Sequence, residues 1–575
     1  MKVSEALRII QSADPGLPAY PVLLACGFTP LHMQTFLTAQ LQQLLPNRKV
    51  VLSTGLYGDL IGTVRQSRTR DVHRVAVALE WSDLDPRLGY RNLGGWGPSE
   101  ELDIVAQVRS VLAQLRPLLL EVAEKRPVVV SFPTLPLPPA FHNRNWQAGN
   151  TQATLEALLH EAAAEISAHQ RISIVNSQQL AWDSPSNHRF DLKSELFTGL
   201  PYTISHASIL AGALACLIVP PERKKGIITD LDDTLWSGIV GEVGPDGVSW
   251  DLHSHTQLHG LYQLTLRALA GQGVLIGIAS KNDPALVESA LARPDLILPP
   301  DKIFPREVHW HAKSGSVGRI LQAWNVDAGA VVFVDDSPME LAEVKAAFPA
   351  MECFPFPKGD YPAAEALLRQ LRDLCGKPYL SAEDALRRES LRRAVQFQEE
   401  QAADQAPDEF LRGLGAEMSI DKNAAADPRS LELVNKTNQF NLNGRRFDPA
   451  EWRAAAERSG AFVWSVAYKD KFGPLGKIAV MQGLRRGPCI ELDAWVMSCR
   501  AFARRIEHQC LRLLFEESAA LEISFCFRTT DRNTPLQQFL AGALGRPPAN
   551  LVSLCREAFL ETCPPLFHAI HWSQS

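Results

Sequence analysis

One stretch constrains the rest of this chain: Ile227-Ile228-Thr229-Asp230-Leu231-Asp232-Asp233-Thr234-Leu235-Trp236. It reads as a short apolar strand that ends in a cluster of carboxylates. Neighbouring carboxylates repel, and each raises the pKa of the other unless a cation lies between them. Two oxygen ligands at a strand end suit Mg²⁺, a hard cation that keeps several waters and is shared with substrate phosphates. One carboxylate of such a pair can attack phosphorus while the other handles the proton. Asp and Thr are also good N-caps. On this stretch alone, a loop that caps the next helix therefore stays open as the alternative.

Three later segments bear on that choice. Residues 274–279 form a second apolar strand, ending on Ser280 with Lys281-Asn282 behind it. Lys313 opens a helical stretch after Trp310-His311, and residues 331–334 form a third strand that ends on Asp335-Asp336. The order strand-Asp-x-Asp-x-Thr, strand-Ser, Lys, strand-Asp-Asp resembles the haloacid dehalogenase superfamily of phosphoryl-transfer enzymes. Between Thr234 and Ser280 lie 45 residues, and between Ser280 and Lys313 lie 32. Neither gap has room for a large lid, so the spacing predicts an uncapped site open to a bulky substrate.

A chain of 575 residues is too long for one core, and about three domains are expected. With 46% hydrophobic and 21% charged residues the composition is globular, and a net charge of −6 with no basic run gives no footing for a nucleic-acid partner. The ten cysteines are scattered, without a Cys-x-x-Cys pair, as in a reduced cytoplasmic protein. No secretory leader is read at the N-terminus. The most apolar run, 207–220, is too short to span a bilayer and is expected to be a buried helix and strand.

The expected fold class is α/β in three domains. Residues 1–220 alternate strand-like runs (21–26, 49–53, 74–79, 127–132, 172–175) with helical patterns such as 102–122 and 151–168, which argues for a parallel sheet covered on both faces. This region resembles the SGNH-hydrolase-like N-terminal part of FkbH-like proteins. Ser53 is the one nucleophile that can be placed there. His188 and His206 lack the preceding Asp of that fold's dyad, so a non-catalytic binding domain is expected.

Residues 221–375 form the expected phosphoryl-transfer domain, with a Gly-rich hairpin at 238–247 and a helix at 256–270. Residues 376–400 read as a charged connecting helix. Residues 401–575 form the third domain, with strands at 462–466, 478–481, 491–497 and 521–527 and a helix from Arg500 to about Glu517. It resembles the acetyltransferase fold, in which a helix N-terminus holds the pyrophosphate of a pantetheine cofactor. Ala503 and Arg505 depart from that fold's Arg-x-x-Gly-x-Gly/Ala loop.

Four segments narrow the resemblance: residues 230–238, Ser280-Lys281-Asn282-Asp283, residues 433–441 and Met497-Ser498-Cys499-Arg500. Together they closely resemble FkbH-like proteins (haloacid dehalogenase superfamily, subfamily IIIC) over nearly the whole chain. Such proteins are bifunctional glyceryl transferase/phosphatases of polyketide biosynthesis. They move the acyl group of 1,3-bisphosphoglycerate to an acyl carrier protein with a phosphopantetheine arm and remove the remaining phosphate.

The resemblance implies a role for each matched residue. Asp230 becomes the nucleophile, Asp232 the general acid/base and Ser280 a donor to phosphoryl oxygen. Lys313 neutralises charge, and Mg²⁺ is held by Asp230, Asp232, Asp335 and Asp336. Thr234, Lys281, Asn282, Asn438 and Arg500 fall on the substrate side. Cys499 becomes the acyl-carrying thiol, its pKa lowered by a helix N-terminus and Arg500. Cysteine is also among the most buried residue types, and Cys499 shares an apolar stripe with Ile506, Cys510 and Leu513. A core position therefore stays open for it. Two other functions remain: a simple phosphatase of small metabolites, and a non-catalytic scaffold that docks a carrier protein.

Overall fold

The structure, a computed structural model, describes residues 1–92, 97, 99–144, 146–377, 407–498, 501–530, 533–548 and 552–573. The chain divides into two compact units, Met1–Glu222 and Arg223–Ser575. Among the described residues no helix is long and apolar enough to cross a membrane. Most of the connecting stretch 376–400 lies outside them.

The first unit is built on five parallel strands: β1 (Ala19–Ala25), β2 (Lys49–Thr54), β3 (Arg74–Ala78), β4 (Val128–Ser131) and β5 (Ile172–Ile174), in the order β2-β1-β3-β4-β5. Successive side chains point to opposite faces, and both faces are apolar. Leu23, Val75, Val77, Val128 and Val130 pack with the helices Glu101–Lys125 and Asn150–Ser167. Val22, Leu24, Ala76 and Val129 pack with Leu31–Leu44 and Ile204–Ile218.

The run 207–220 departs from expectation, because it contains no strand. The helix Ile204–Ile218 takes nearly all of it, capped by the Thr203 hydroxyl, which accepts from His206 N at 3.2 Å. Its buried residues Ala207, Leu210, Ala211, Leu214, Ala215 and Ile218 follow helical spacing, and Pro220-Pro221 forbid continuation.

The second unit opens with another parallel sheet: β6 (Gly226–Thr229), β7 (Leu275–Ser280), β8 (Ile303–Val308), β9 (Val331–Asp335) and β10 (Glu352–Pro355), ordered β10-β9-β6-β7-β8. The chain runs outward from β6 to β8, then returns to the other side of β6 through β9. The switch point therefore lies between β6 and β9, the place where open α/β sheets bind ligands at the carboxyl ends of their strands. Gly226 and Gly277 let the helix Lys313–Trp324 lie close on this sheet. A Cβ at either position would come within 2.5 and 2.9 Å of the Trp324 ring, respectively. The expected hairpin at 238–247 is closed by a single bridge, Ser237 to Ser249, around a helical turn Val240–Val243.

The remaining strands are β11 (Glu417–Asp421), β12 (Phe440–Asn441), β13 (Ala461–Asp470), β14 (Gly473–Arg486), β15 (Cys489–Met497), β16 (Glu522–Phe525), β17 (Val552–Cys555) and β18 (Ala569–Trp572). They form a mixed sheet in the order β17-β16-β15-β14-β13-β11-β18. β15 pairs with β16 along its first half, up to Leu492–Phe525, and with β12 at its far end, through Val496–Asn441 and Met497–Phe440.

The helix between β15 and β16 spans Ile506–Ser518, so it begins six residues later than expected from Arg500. Ala503 and Arg505 hold φ of 64° and 58°. That left-handed backbone cannot be continued as a right-handed helix.

Candidate active site

The register of β6 and β9 builds the site. Thr229 stands opposite Val334, and Asp230 N donates to Val334 O at 3.0 Å, so the next residues, Asp230 and Asp335, leave the sheet side by side. Lys313, the first residue of its helix, reaches both. Its Nζ is 2.8 Å from Asp230 Oδ1 and 2.6 Å from Asp335 Oδ2. All three residues are buried. Burial raises the pKa of Asp230 and of Asp335, opposed by the Lys313 ammonium. Burial also pulls the Lys313 pKa down, but the two carboxylates outweigh it and the net shift is upward. Asp335 Oδ1 accepts from Ser337 N at 2.9 Å, which fixes the carboxylate at the start of the next helix.

Asp232 is held apart from this group. Its Oδ1 accepts from Trp236 Nε1 at 2.9 Å and Val240 N at 3.1 Å, and its Oδ2 accepts from Asn282 Nδ2 at 3.0 Å. Asn282 Nδ2 also lies 3.1 Å from Ser280 Oγ, so the end of β7 is tied to the loop after β6. Asp233 turns that loop with φ 52°, a conformation Asp tolerates, and its Oδ1 accepts from Gly238 N at 2.8 Å. Thr234 is buried, its hydroxyl 3.5 Å from Asp336 Oδ1 and its carbonyl 3.0 Å from His259 Nδ1.

Oxygens of Asp230, Asp335 and Asp336 lie within 4.8 Å of one another. Buried Asp230 Oδ1 has Lys313 at ion-pair distance but no well-directed hydrogen bond. An all-oxygen set of carboxylates with an acceptor still to be satisfied fits Mg²⁺. Asp232, expected among the ligands, is not part of this set; its carboxylate is turned to Trp236, Val240 and Asn282 instead.

Lys281 points elsewhere, to Glu340 Oε1 at 2.9 Å. Asn438 accepts from the Arg446 guanidinium, away from the strand ends. Cys499 and Arg500 lie outside the described residues.

Lys358 was not expected at the site. Its Nζ is 2.8 Å from Asp233 Oδ2 and 2.6 Å from Asp336 Oδ2. It lies in Pro357-Lys358-Gly359, and the only sequence signal is a basic residue in a turn after a strand of the same sheet.

In the first unit, Ser53 Oγ contacts Val22 O at 3.4 Å, while His206 is buried between Thr134 Oγ1 and Ser184 Oγ, each at 2.9 Å. Thr134 Oγ1 donates to Glu80 Oε1 at 2.7 Å, so its oxygen is left to accept from His206 Nε2, and Nδ1 accepts from Ser184. This is a closed structural chain of hydrogen bonds, and Ser53 has no part in it.

No protein-family model matches the chain, and no curated protein matches it. Among solved structures it is similar to the N-terminal part of the protein BF1531 from Bacteroides fragilis, which contains a phosphatase domain and is complexed with Mg. The identity is 18% and the TM-score 0.49, over 64% of this chain and 98% of that one. It is also similar to a candidate UDP-N-acetylglucosamine 2-epimerase from Listeria monocytogenes, at 10% identity and a TM-score of 0.14, over 67% of this chain and 97% of that one. At these scores neither likeness carries weight for function, and the reading rests on the site itself.

Proposed function

We propose that the sheet β6–β10 carries a Mg²⁺-dependent phosphoryl-transfer site of the haloacid dehalogenase type, acting as a phosphatase. One observation supports this most: Lys313 bridges Asp230 and Asp335 at the switch point of the sheet, with Asp336 beside them. Phosphoryl transfer needs placement and charge neutralisation more than covalent machinery. Asp230, Asp335 and Asp336 would hold the cation, which supplies charge neutralisation at the phosphoryl oxygens when bound.

The chain's own residues do the rest. An Asp230 oxygen attacks phosphorus and forms an acyl phosphate as the bond from phosphorus to the leaving oxygen breaks. The leaving oxygen takes a proton from Asp232. Oδ2 of Asp232 has only Asn282 as partner among the described residues, so it is the oxygen suited to carry that proton. In the second half water attacks phosphorus, its proton passes to Asp232, and Asp230 is released together with inorganic phosphate. Lys313 offsets charge on Asp230 throughout.

The finer reading follows from the resemblance to FkbH-like proteins. The substrate is 1,3-bisphosphoglycerate. The Cys499 thiolate attacks the acyl carbonyl, inorganic phosphate leaves as its C–O bond breaks, the pantetheine thiol of an acyl carrier protein then takes the acyl group and frees the Cys499 thiol, and the remaining phosphate is removed at Asp230. The short segments between the motifs support access for such a bulky partner, since the described residues between β6 and β7 form only a helical turn and the helix Gln257–Gly271.

The test is to incubate the protein with 1,3-bisphosphoglycerate, Mg²⁺ and a carrier protein, and to weigh both proteins intact. A glyceryl adduct on the carrier, lost in Cys499→Ala, supports the full reading. Phosphate release without an adduct reduces it to a small-metabolite phosphatase. Neither product leaves a docking scaffold.

A further inference from the structure

Lys281 takes no part in the strand-end cluster, yet it stands between two residues that belong to the site. Ser280 ends β7, and Asn282 Nδ2 lies 3.1 Å from Ser280 Oγ and 3.0 Å from Asp232 Oδ2. The Lys281 side chain leaves this segment and reaches the helix Pro338–Ala347, where its Nζ is 2.9 Å from Glu340 Oε1. That helix follows directly on Asp335, Asp336 and Ser337, and Ser337 N donates to Asp335 Oδ1. The pair therefore joins the end of β7 to the end of β9. These strands are not neighbours: β6, which leads into Asp230, lies between them.

The same helix holds a third segment of the site. Glu343 is three residues beyond Glu340 and so shares its face. It accepts from Ser314 N at 2.8 Å, which fixes the first turn of the helix from which Lys313 reaches Asp230 and Asp335. The Ser314 N–H, followed by the charges of Lys281 and Lys313, holds the Glu343 carboxyl below the usual range against its burial, so both lysines lie around one carboxylate.

Stability does not account for the Lys281–Glu340 pair. The Glu340 side chain is only 9% exposed, and its Oε2 is buried without a hydrogen-bond partner among the described residues. An unpaired buried oxygen costs free energy, and apolar residues often serve stability as well as a buried ion pair does. What the pair supplies is a fixed distance between two loops that the sheet itself does not join.

We propose that Lys281 and Glu340 are positioning residues of the phosphoryl-transfer site. Their ion pair ties the segment 280–282 across β6 to the helix after Asp336. It thereby holds the Ser280 hydroxyl and, through Asn282, the Asp232 carboxylate in register with Asp230. The inference rests on the phosphatase reading.

The full chain is assayed with para-nitrophenyl phosphate at saturating Mg²⁺, and each variant is unfolded in urea. Lys281→Met is expected to lower kcat about 10- to 100-fold with KM little changed, and to lose stability because Glu340 is left buried and unpaired. Adding Glu340→Gln to Lys281→Met removes the unpaired charge, so stability returns while kcat stays low. This double variant carries the test if Lys281→Met does not fold. Lys281→Arg keeps the ion pair and should retain kcat to within about threefold. A kcat that recovers together with stability in the double variant overturns the proposal. So does an unchanged kcat, with or without a raised KM; a raised KM would put Lys281 on the substrate instead. These results leave wild-type phosphatase activity standing. Absence of Mg²⁺-dependent phosphate release from the wild type overturns the phosphatase reading and this inference with it.

Discussion

Asn282 Nδ2 donates to Asp232 Oδ2 at 3.0 Å, so a residue just past β7 orients a carboxylate in the loop that follows β6. If Asp232 moves the proton, its angle to the substrate is set by this bond. Asn282→Ala is expected to lower kcat on a small phosphomonoester by about 10- to 100-fold, with KM little changed, because positioning is lost and binding is not. Steady-state kinetics check it.

Lys313 is the only cation in contact with two buried carboxylates among the described residues. Lys313→Met leaves both without compensation. In chelator at neutral pH the variant should lose about 3–5 kcal/mol of stability, measured by denaturant unfolding. Added Mg²⁺ should restore part of that loss in the variant.

Lys358 is half-exposed and competes for the oxygens of Asp336. Bridges of this kind are worth about 0–1 kcal/mol, so Lys358→Ala should leave Tm nearly unchanged. Removing a positive charge beside a metal ligand favours the cation. The Mg²⁺ concentration giving half-maximal phosphatase activity is expected to fall several-fold, as read from a Mg²⁺ titration of the rate.

His206 gives the first unit a pH dependence. Burial, aided by the charge of Arg189, depresses its pKa from the usual 6.5 to about 3 in the folded state. Above pH 6.5 both states are neutral and its contribution is complete. As pH falls from 6.5 towards 3, the unfolded chain takes a proton that the folded chain refuses, and stability is lost. The stability advantage of wild type over His206→Gln should therefore shrink by about 2 kcal/mol between pH 7 and pH 5. Glu80 and Asp83, which titrate upward through burial, are common to both proteins and largely cancel. Parallel urea unfolding at the two pH values measures the difference.

Much of this was legible before any coordinates. Strands buried on both faces are continuous apolar runs, so β1 to β7 and β9 were placed to within a few residues, β8 (Ile303–Val308) was missed, and the strand-end positions of Asp230, Ser280 and Asp335 followed directly. What was not legible depends on distance between segments. Lys358 joins Asp233 and Asp336 across 125 and 22 residues of chain, and no local pattern announces it. The carboxylate of Asp232 is withdrawn from the metal set by Trp236, Val240 and Asn282, a matter of side-chain direction that the Asp-x-Asp spacing leaves undetermined. The late start of the helix Ile506–Ser518 turns on left-handed backbone at Ala503 and Arg505, residues whose types give no warning of it.

The most direct measurement is a rapid acid quench of the protein turning over a phosphate ester, followed by peptide mass mapping. The account predicts one phosphoryl group on the peptide carrying Asp230, formed with Mg²⁺, absent with chelator and absent in Asp230→Asn. Phosphate release at an undiminished rate by Asp230→Asn, with no adduct on that peptide in the wild type, would contradict it.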